Sequence, residues 1–232
     1  MPADETIILA GGFGTRLRDV VADVPKPMAP VAGRPFLAWL LDRLAAQGMR
    51  RCILATGYLA DVIEREIGRH WSGMDIVHSV ETTPLGTGGA IRQAAGLLQG
   101  DCTHVLNGDT WLAYSTSALE QATTRTGAAI GIALAHVDDV GRYGAVETRD
   151  GMVAGFREKG GIGDGWINAG CYFLSAAAMS ALPDAETFSF EAEVLLPMAA
   201  AGKVAAWTET SDFIDIGVPE DYRRAQEQFA RA

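Results

Sequence analysis

The feature that most constrains this chain is an alternation in its first half. Short, continuous apolar runs stopped by glycines are separated by segments in which leucines recur at helical spacing. Ile7–Ala10 reads as a buried strand. Pro35 suits a first helical position, and Phe36, Leu37, Leu40, Leu41 and Leu44 recur until Gly48 ends the run. Cys52–Ala55 is the next strand, Asp61–Ile67 a short helix and Ile76–Ser79 a third strand. Gly88–Leu98 reads as helix and Thr103–Leu106 as strand. That β-α-β-α-β order predicts an α/β fold: a mostly parallel sheet covered by helices, with ligands at the carboxyl ends of its strands.

The rhythm changes after about Gly141. Ala145–Thr148 and Val153–Phe156 flank "RDG", whose Asp150-Gly151 pair suits a tight hairpin turn. Ile167–Leu174 follows as a strand, then the helical "SFEAEVLLPMAA". Strands near Val204–Trp207 and Phe213–Asp215 lead into a closing amphipathic helix from Pro219. No internal repeat or linker interrupts the 232 residues. The expectation is a single domain over 1–232 with a small antiparallel lobe added late.

Composition narrows the partners. Hydrophobic residues make up 48% and charged residues 21%, which argues against disorder. The formal net charge is −10, so a general nucleic-acid partner is excluded and any phosphate ligand must be held by a local positive site. Cys52, Cys102 and Cys171 show no CxxC spacing, and the first strand begins too close to Met1 for a signal peptide. Both point to the cytoplasm. The longest apolar stretch, Gly127 to Val137, is too short to cross a bilayer. His70, His78, His104 and His136 show no ligand spacing.

The glycine cluster after the first strand, Gly11-Gly12-Phe13-Gly14-Thr15-Arg16, fails two phosphate-loop patterns. A dinucleotide fingerprint needs a third glycine where Leu17 stands, and a Walker loop needs a Gly-Lys pair. What remains is a backbone able to approach a phosphate closely and aim N–H groups at it. Arg16 adds a fork of donors, and Lys26, braced by Pro25 and Pro27, a point charge. Read alone, the loop is equally a tight turn with surface cations.

"LAGGFGTRL" followed by "PKPMAPVAGRPFL" resembles the signature of the sugar-1-phosphate nucleotidyltransferases. In the same order come "PLGTGGA" (Pro84–Ala90), "NGD" (Asn107–Asp109), "FREK" (Phe156–Lys159), "NAG" (Asn168–Gly170) and "DIGVPEDY" (Asp215–Tyr222). The resemblance implies a Rossmann-like three-layer α/β/α sandwich and the reaction NTP + sugar 1-phosphate → NDP-sugar + pyrophosphate. Residues 1–140 then form mainly the nucleotide half, and 141–232 mainly the sugar-phosphate half.

On this resemblance, Leu9, Ala10, Gly11, Gly12, Gly14, Thr15 and Arg16 hold the nucleotide together with Pro84, Gly86, Thr87, Asn107 and Gly108. Arg142, Gly144, Glu158, Lys159, Asn168 and Gly170 face the sugar phosphate. Arg16, Lys26, Asp109 and Lys159 form the catalytic set, and Asp109 and Asp215 are the expected Mg2+ ligands. The nucleophile is an already anionic phosphate oxygen, so the chemistry asks for positioning and charge neutralisation rather than a general base. Without the resemblance, Asp109 is equally an Asx-turn residue, "REK" a solvated charge run and "GTGGA" a helix packed by small residues. Glu81 could accept the paired N1–H and N2–H of guanine, with an exposed loop carboxylate as the alternative.

"DVPKPMAPVAGRPFL", "ETTPLGTGGAI" and "VLNGDTWL" look most like D-glycero-α-D-manno-heptose 1-phosphate guanylyltransferases, which selects GTP. N-acetylmuramate 1-phosphate uridylyltransferases and mannose-1-phosphate guanylyltransferases stay open as alternatives, as does a non-catalytic nucleotide-sugar sensor. The leucine-rich helices leave room for a homodimer face.

Overall fold

A computed structural model describes residues 2–12 and 24–231. The chain runs through β1 (Glu5–Leu9), the short pair β2 (Pro30–Val31) and β3 (Arg34–Pro35), α1 (Phe36–Ala46), β4 (Arg51–Thr56) and α2 (Ala60–Ile67). It continues through β5 (His70–Trp71), β6 (Met74–Val80), α3 (Gly86–Ala95), β7 (Thr103–Asn107), β8 (Thr110–Ala113) and α4 (Thr116–Thr126). The later elements are β9 (Ile130–Val137), β10 (Val146–Arg149), β11 (Met152–Phe156), β12 (Gly165–Leu174) and α5 (Ala176–Ser180). Last come α6 (Leu196–Ala200), β13 (Val204–Trp207), β14 (Ser211–Asp215) and α7 (Pro219–Phe229).

Among the described residues one ten-stranded sheet dominates, in the order β10-β11-β13-β9-β12-β7-β1-β4-β6-β5. The β7-β1-β4-β6 stretch is parallel throughout. β12 runs antiparallel between β7 and β9, and the β10–β11 hairpin closes one edge. A small antiparallel ladder, β8 with β14, stands apart from the large sheet.

Strand alternation divides the interior into two apolar layers. Ile8, Leu54 and Leu106 join the cluster formed with α1, α2 and α7, while Ile7, Ile53 and Val105 join the one formed with α3 and α6. Successive side chains of a strand point to opposite faces, so continuous apolar runs belong in a sheet covered on both sides. The result is the α/β/α sandwich. The leucines of α1 (Leu37, Leu40, Leu41, Leu44) are buried in the chain's own core. These leucines therefore pack within the chain itself. No described helix is long and apolar enough to cross a membrane, and the apolar run ending at Val137 is the interior strand β9.

Two local readings shift. Pro35 caps α1 from outside instead of occupying its first position. "SFEAEVLLPMAA" is not one regular helix: a π-helical turn, Glu191–Leu195, precedes α6. Pro197 has no N–H to donate to the carbonyl four residues back, which favours a wider turn there. The hairpin reading holds, with Asp150 and Gly151 at φ 53° and 74°, the paired positive values of a type I′ turn.

His104, on β7, is a titratable residue of the core. It is fully buried, its ring 5.2 Å from Phe173. Burial pushes its pKa down to about 4 from 6.5. The unfolded chain therefore binds more protons between those values, and stability rises with pH across that window and is lost as pH falls toward 4. A His104→Leu variant should show a flatter stability profile between about pH 4 and 6.5 in urea unfolding. An unchanged slope would remove His104 as its source.

Candidate active site

The site lies where the fold predicts it, across the carboxyl ends of β6, β4, β1 and β7. The chain leaves β1 toward β4 on one side and later returns as β7 on the other, so a crevice opens there. A cavity of about 350 Å³ is lined by Leu9 at the end of β1 and Ala10, Gly11 and Gly12 beyond it, by Glu81, Pro84, Gly86 and Thr87 after β6, and by Asn107 at the end of β7. A second cavity, about 330 Å³, is lined by Tyr143, Asn168, Phe213, Asp215 and Gly217. Both share Gly12, Lys26, Asn107 and Asp109. The two chambers meet at those residues.

The sheet pattern explains the meeting. Asp109 follows β7 and precedes β8, and β8 pairs with β14 so that Thr110 opposes Asp215. The Ile216 N–H donates to the Asp109 carbonyl at 3.0 Å, locking the turn. Two carboxylates far apart in sequence therefore converge. Lys26 opens a single 3-10 turn, Lys26–Met28, between its two prolines. Its ammonium pairs with Asp109 Oδ2 and lies 3.6 Å from Asp215 Oδ1. Asp215 Oδ1 also accepts the Gly217 N–H at 2.7 Å. A Cβ at Gly217 would stand 2.7 Å from that oxygen and 2.8 Å from Lys26 Nζ, so a side chain there would displace both charged groups from their present positions.

At the far end of the first chamber, the Leu85 N–H donates to Glu81 Oε2 at 3.1 Å, while Oε1 lies beside Gly11. Burial raises the pKa of Glu81, and the Leu85 hydrogen bond offsets part of that shift. The glycines of "GTGGA" carry a packing role. A Cβ at Gly86 would come within 2.6 Å of the Phe188 carbonyl, and Gly88 and Gly89 are equally closed against Phe188 and Glu186. Thr87 stays at the chamber wall, its hydroxyl donating to Glu191 Oε2 at 2.6 Å and accepting from the Phe190 N–H at 2.9 Å.

In the second chamber, Asn168 Nδ2 donates to the Tyr172 hydroxyl at 2.8 Å, and its Oδ1 accepts the Gly170 N–H at 2.9 Å. Gly170 has φ 66°, and the Asn107 amide packs directly over it. Tyr143 and Phe213 meet edge to face, 5.5 Å between centroids. Burial raises the Tyr143 pKa to about 12, so its hydroxyl stays neutral.

The structure thus brings Leu9, Ala10, Gly11, Gly12, Lys26, Glu81, Pro84, Gly86, Thr87, Asn107, Asp109, Asn168 and Asp215 to one cleft. Gly108 supports it from behind, donating to the Leu9 carbonyl at 2.8 Å. Gly144 is buried at φ 84° against the Arg157 carbonyl, and Arg142 lies at the rim of the second chamber. Glu158 and Lys159 sit on an exposed loop outside both linings. Gly14, Thr15 and Arg16 lie outside the described residues. Sequence reasoning missed Gly217 and Phe213, although "DIGVPEDY" held the former.

Among the described residues no group of three or more His, Cys, Asp or Glu side chains is arranged to hold a metal. Asp109 and Asp215 are a pair of hard oxygen donors already gathered around one positive charge.

Residues 5–232 match the family described as Nucleotidyl transferase. The chain is 39% identical to a D-glycero-alpha-D-manno-heptose 1-phosphate guanylyltransferase of Aneurinibacillus thermoaerophilus, covering 97% of each chain. It is 39% identical to the Campylobacter jejuni protein of that name, covering 94% of this chain and 96% of the other. The solved structure of HddC from Yersinia pseudotuberculosis complexed with GMP-PN superposes with a TM-score of 0.84 at 38% identity. That match covers 97% of this chain and 99% of HddC.

Proposed function

Because the chain belongs to the nucleotidyl transferase family, we propose that it transfers GMP from GTP to D-glycero-α-D-manno-heptose 1-phosphate, giving GDP-heptose and pyrophosphate. The observation that carries this reading is the pair of chambers meeting at Lys26 and Asp109. The nucleotide takes the chamber of Gly11, Gly12, Glu81 and Thr87, and the sugar phosphate that of Asn168 and Asp215. The half before about residue 140 is then chiefly a nucleotide holder and the remainder chiefly an acceptor holder.

An oxygen of the sugar phosphate attacks the α-phosphorus of GTP, one P–O bond forms, and the bond to the β-phosphate oxygen breaks to release pyrophosphate. The nucleophile needs no deprotonation, so the barrier is mainly repulsion between two anions. Lys26 stands at the junction to neutralise phosphate charge, and the glycine backbone holds the triphosphate in line. Asp109 and Asp215 would hold Mg2+, with phosphates and water completing its shell. Bound there, Mg2+ supplies positive charge to the reacting phosphates. Glu81 receives N1–H and N2–H of guanine. Synthesis in the cytoplasm for a surface polysaccharide belongs to the same proposal.

The test is pyrophosphate release from four NTPs against a panel of sugar 1-phosphates, with and without Mg2+. The expected result is highest kcat/KM for GTP with the heptose 1-phosphate. Release with no pair would sink the enzymatic reading, and a mannose preference would move it to the hexose guanylyltransferases. Glu81→Gln should reduce the GTP preference over the other NTPs about tenfold or more, because one acceptor oxygen becomes a donor amide. Full GTP preference in that variant would count against Glu81 as the base reader.

A further inference from the structure

Asp221 is a carboxylate with no place in the chemistry above, yet it is buried, with 7% side-chain exposure. It lies in the first turn of α7. Its Oδ2 pairs with Arg142 Nη2, and its Oδ1 lies 3.2 Å from Arg224 Nη2. Arg142 in turn is held on several sides. Its guanidinium carbon lies 4.5 Å from the Tyr143 ring centroid, Nη2 donates to the Tyr143 hydroxyl, and the same nitrogen is 3.7 Å from Asp215 Oδ2. Asp215 is therefore gripped from two directions, with Oδ1 toward Lys26 and the Gly217 N–H, and Oδ2 toward Arg142.

We infer that Asp221 is a positioning residue for the acceptor chamber: it anchors Arg142, which fixes the outer oxygen of Asp215 and the ring of Tyr143. This rests on reading that chamber as the sugar-phosphate site. A buried carboxylate must be paired, and Arg142 meets Asp221 through the same Nη2 that donates to the Tyr143 hydroxyl and faces Asp215, so the pairing with Asp221 sets where that nitrogen lies. Arg142 does not line the chamber, whereas Tyr143 and Asp215 do. Its effect on substrate is thus transmitted through those two side chains.

The test is a double-mutant cycle with Mg2+ present, measuring kcat and both KM values for Asp221→Asn, Arg142→Met and the double variant. Arg224→Met serves as the control for a role confined to α7. Each of the first two variants should lower kcat/KM for the sugar 1-phosphate about tenfold, with KM for GTP within about twofold of the parent. The double variant should be no worse than either single one, and Arg224→Met should match the parent. Arg142→Met removes a half-exposed side chain, so it keeps the test open if Asp221→Asn folds poorly. Additive losses, equal losses on the GTP side, or an Arg224→Met that reproduces Asp221→Asn would overturn the inference. If the parent uses no sugar 1-phosphate at all, the acceptor reading itself falls and takes this role with it.

Discussion

Asp109→Asn should lower kcat/KM by about 10³-fold or more while leaving the melting temperature within about 2 °C of the parent. The change keeps shape and removes one negative charge at the junction of the two chambers. Asp109 contributes little packing, since its side chain is about a third exposed and its neighbours are polar. The turn survives because it depends on the Asp109 carbonyl, which still accepts the Ile216 N–H. Thr110 donates to Oδ1 at 3.2 Å, and the asparagine carbonyl can accept in its place. What disappears is the charge that holds Lys26 now and would hold Mg2+ during turnover. Steady-state pyrophosphate release paired with a thermal melt separates the two effects. A variant keeping more than about a tenth of the parent rate would remove Asp109 from the charge-bearing role.

Gly170→Val should cost about 2–6 kcal/mol of stability and most of the activity. Two independent strains meet at this position. The backbone has φ 66°, which a β-branched residue adopts only at a cost. A Cβ would also stand 2.5 Å from Asn107 Cγ, forcing that side chain out of the wall both chambers share. The urea midpoint reads the first consequence and kcat/KM the second. Adding Asn107→Gly relieves the contact but not the backbone strain, so it should restore part of the stability and none of the lost turnover. Full recovery of stability in the double variant would show that the positive φ costs nothing here.

Much of the architecture was legible because short apolar runs stopped by glycines, alternating with helical segments, mark buried parallel strands. Ile7, Ile8, Ile53, Leu54, Val105 and Leu106 form short apolar runs that only a sheet covered on both faces can bury. α4 left no such trace. Its sequence, TSALEQATTRT, buries Thr116, Leu119 and Thr123, and threonines carry no apolar periodicity. Three of its threonines return their hydroxyls to the carbonyl four residues back, at 2.8, 2.9 and 3.1 Å. The β8–β14 ladder was half seen, because a four-residue strand such as TWLA has no pattern until its partner is known. Within the site, residue types with strong chemical demands stood out: the proline-braced Lys26, and Asp109 and Asp215 at strand ends. Their convergence depends on the pairing of Thr110 with Asp215, a contact between distant segments that spacing cannot reveal. Asp221 was invisible for another reason. An acidic residue in the first turn of a helix has a sufficient local explanation in the helix dipole. Only the packed structure shows its carboxylate turned toward Arg142.

The antiparallel neighbour relation between β7 and β12 acts as a molecular ruler. Leu106 opposes Cys171 in that ladder, which delivers Asn107 from one strand and Asn168, past a register shift, from the other. Adjacent strands stand about 4.8 Å apart, and hydrogen bonds enforce that interval. The spacing of the two strands beneath the junction is thus set by the sheet. If the second chamber takes the sugar phosphate as proposed, a bulkier sugar meets the sheet at the centre. It has to be accommodated outward, where Tyr143 and Phe213 form the wall, and that rim is where a redesign of acceptor range should begin.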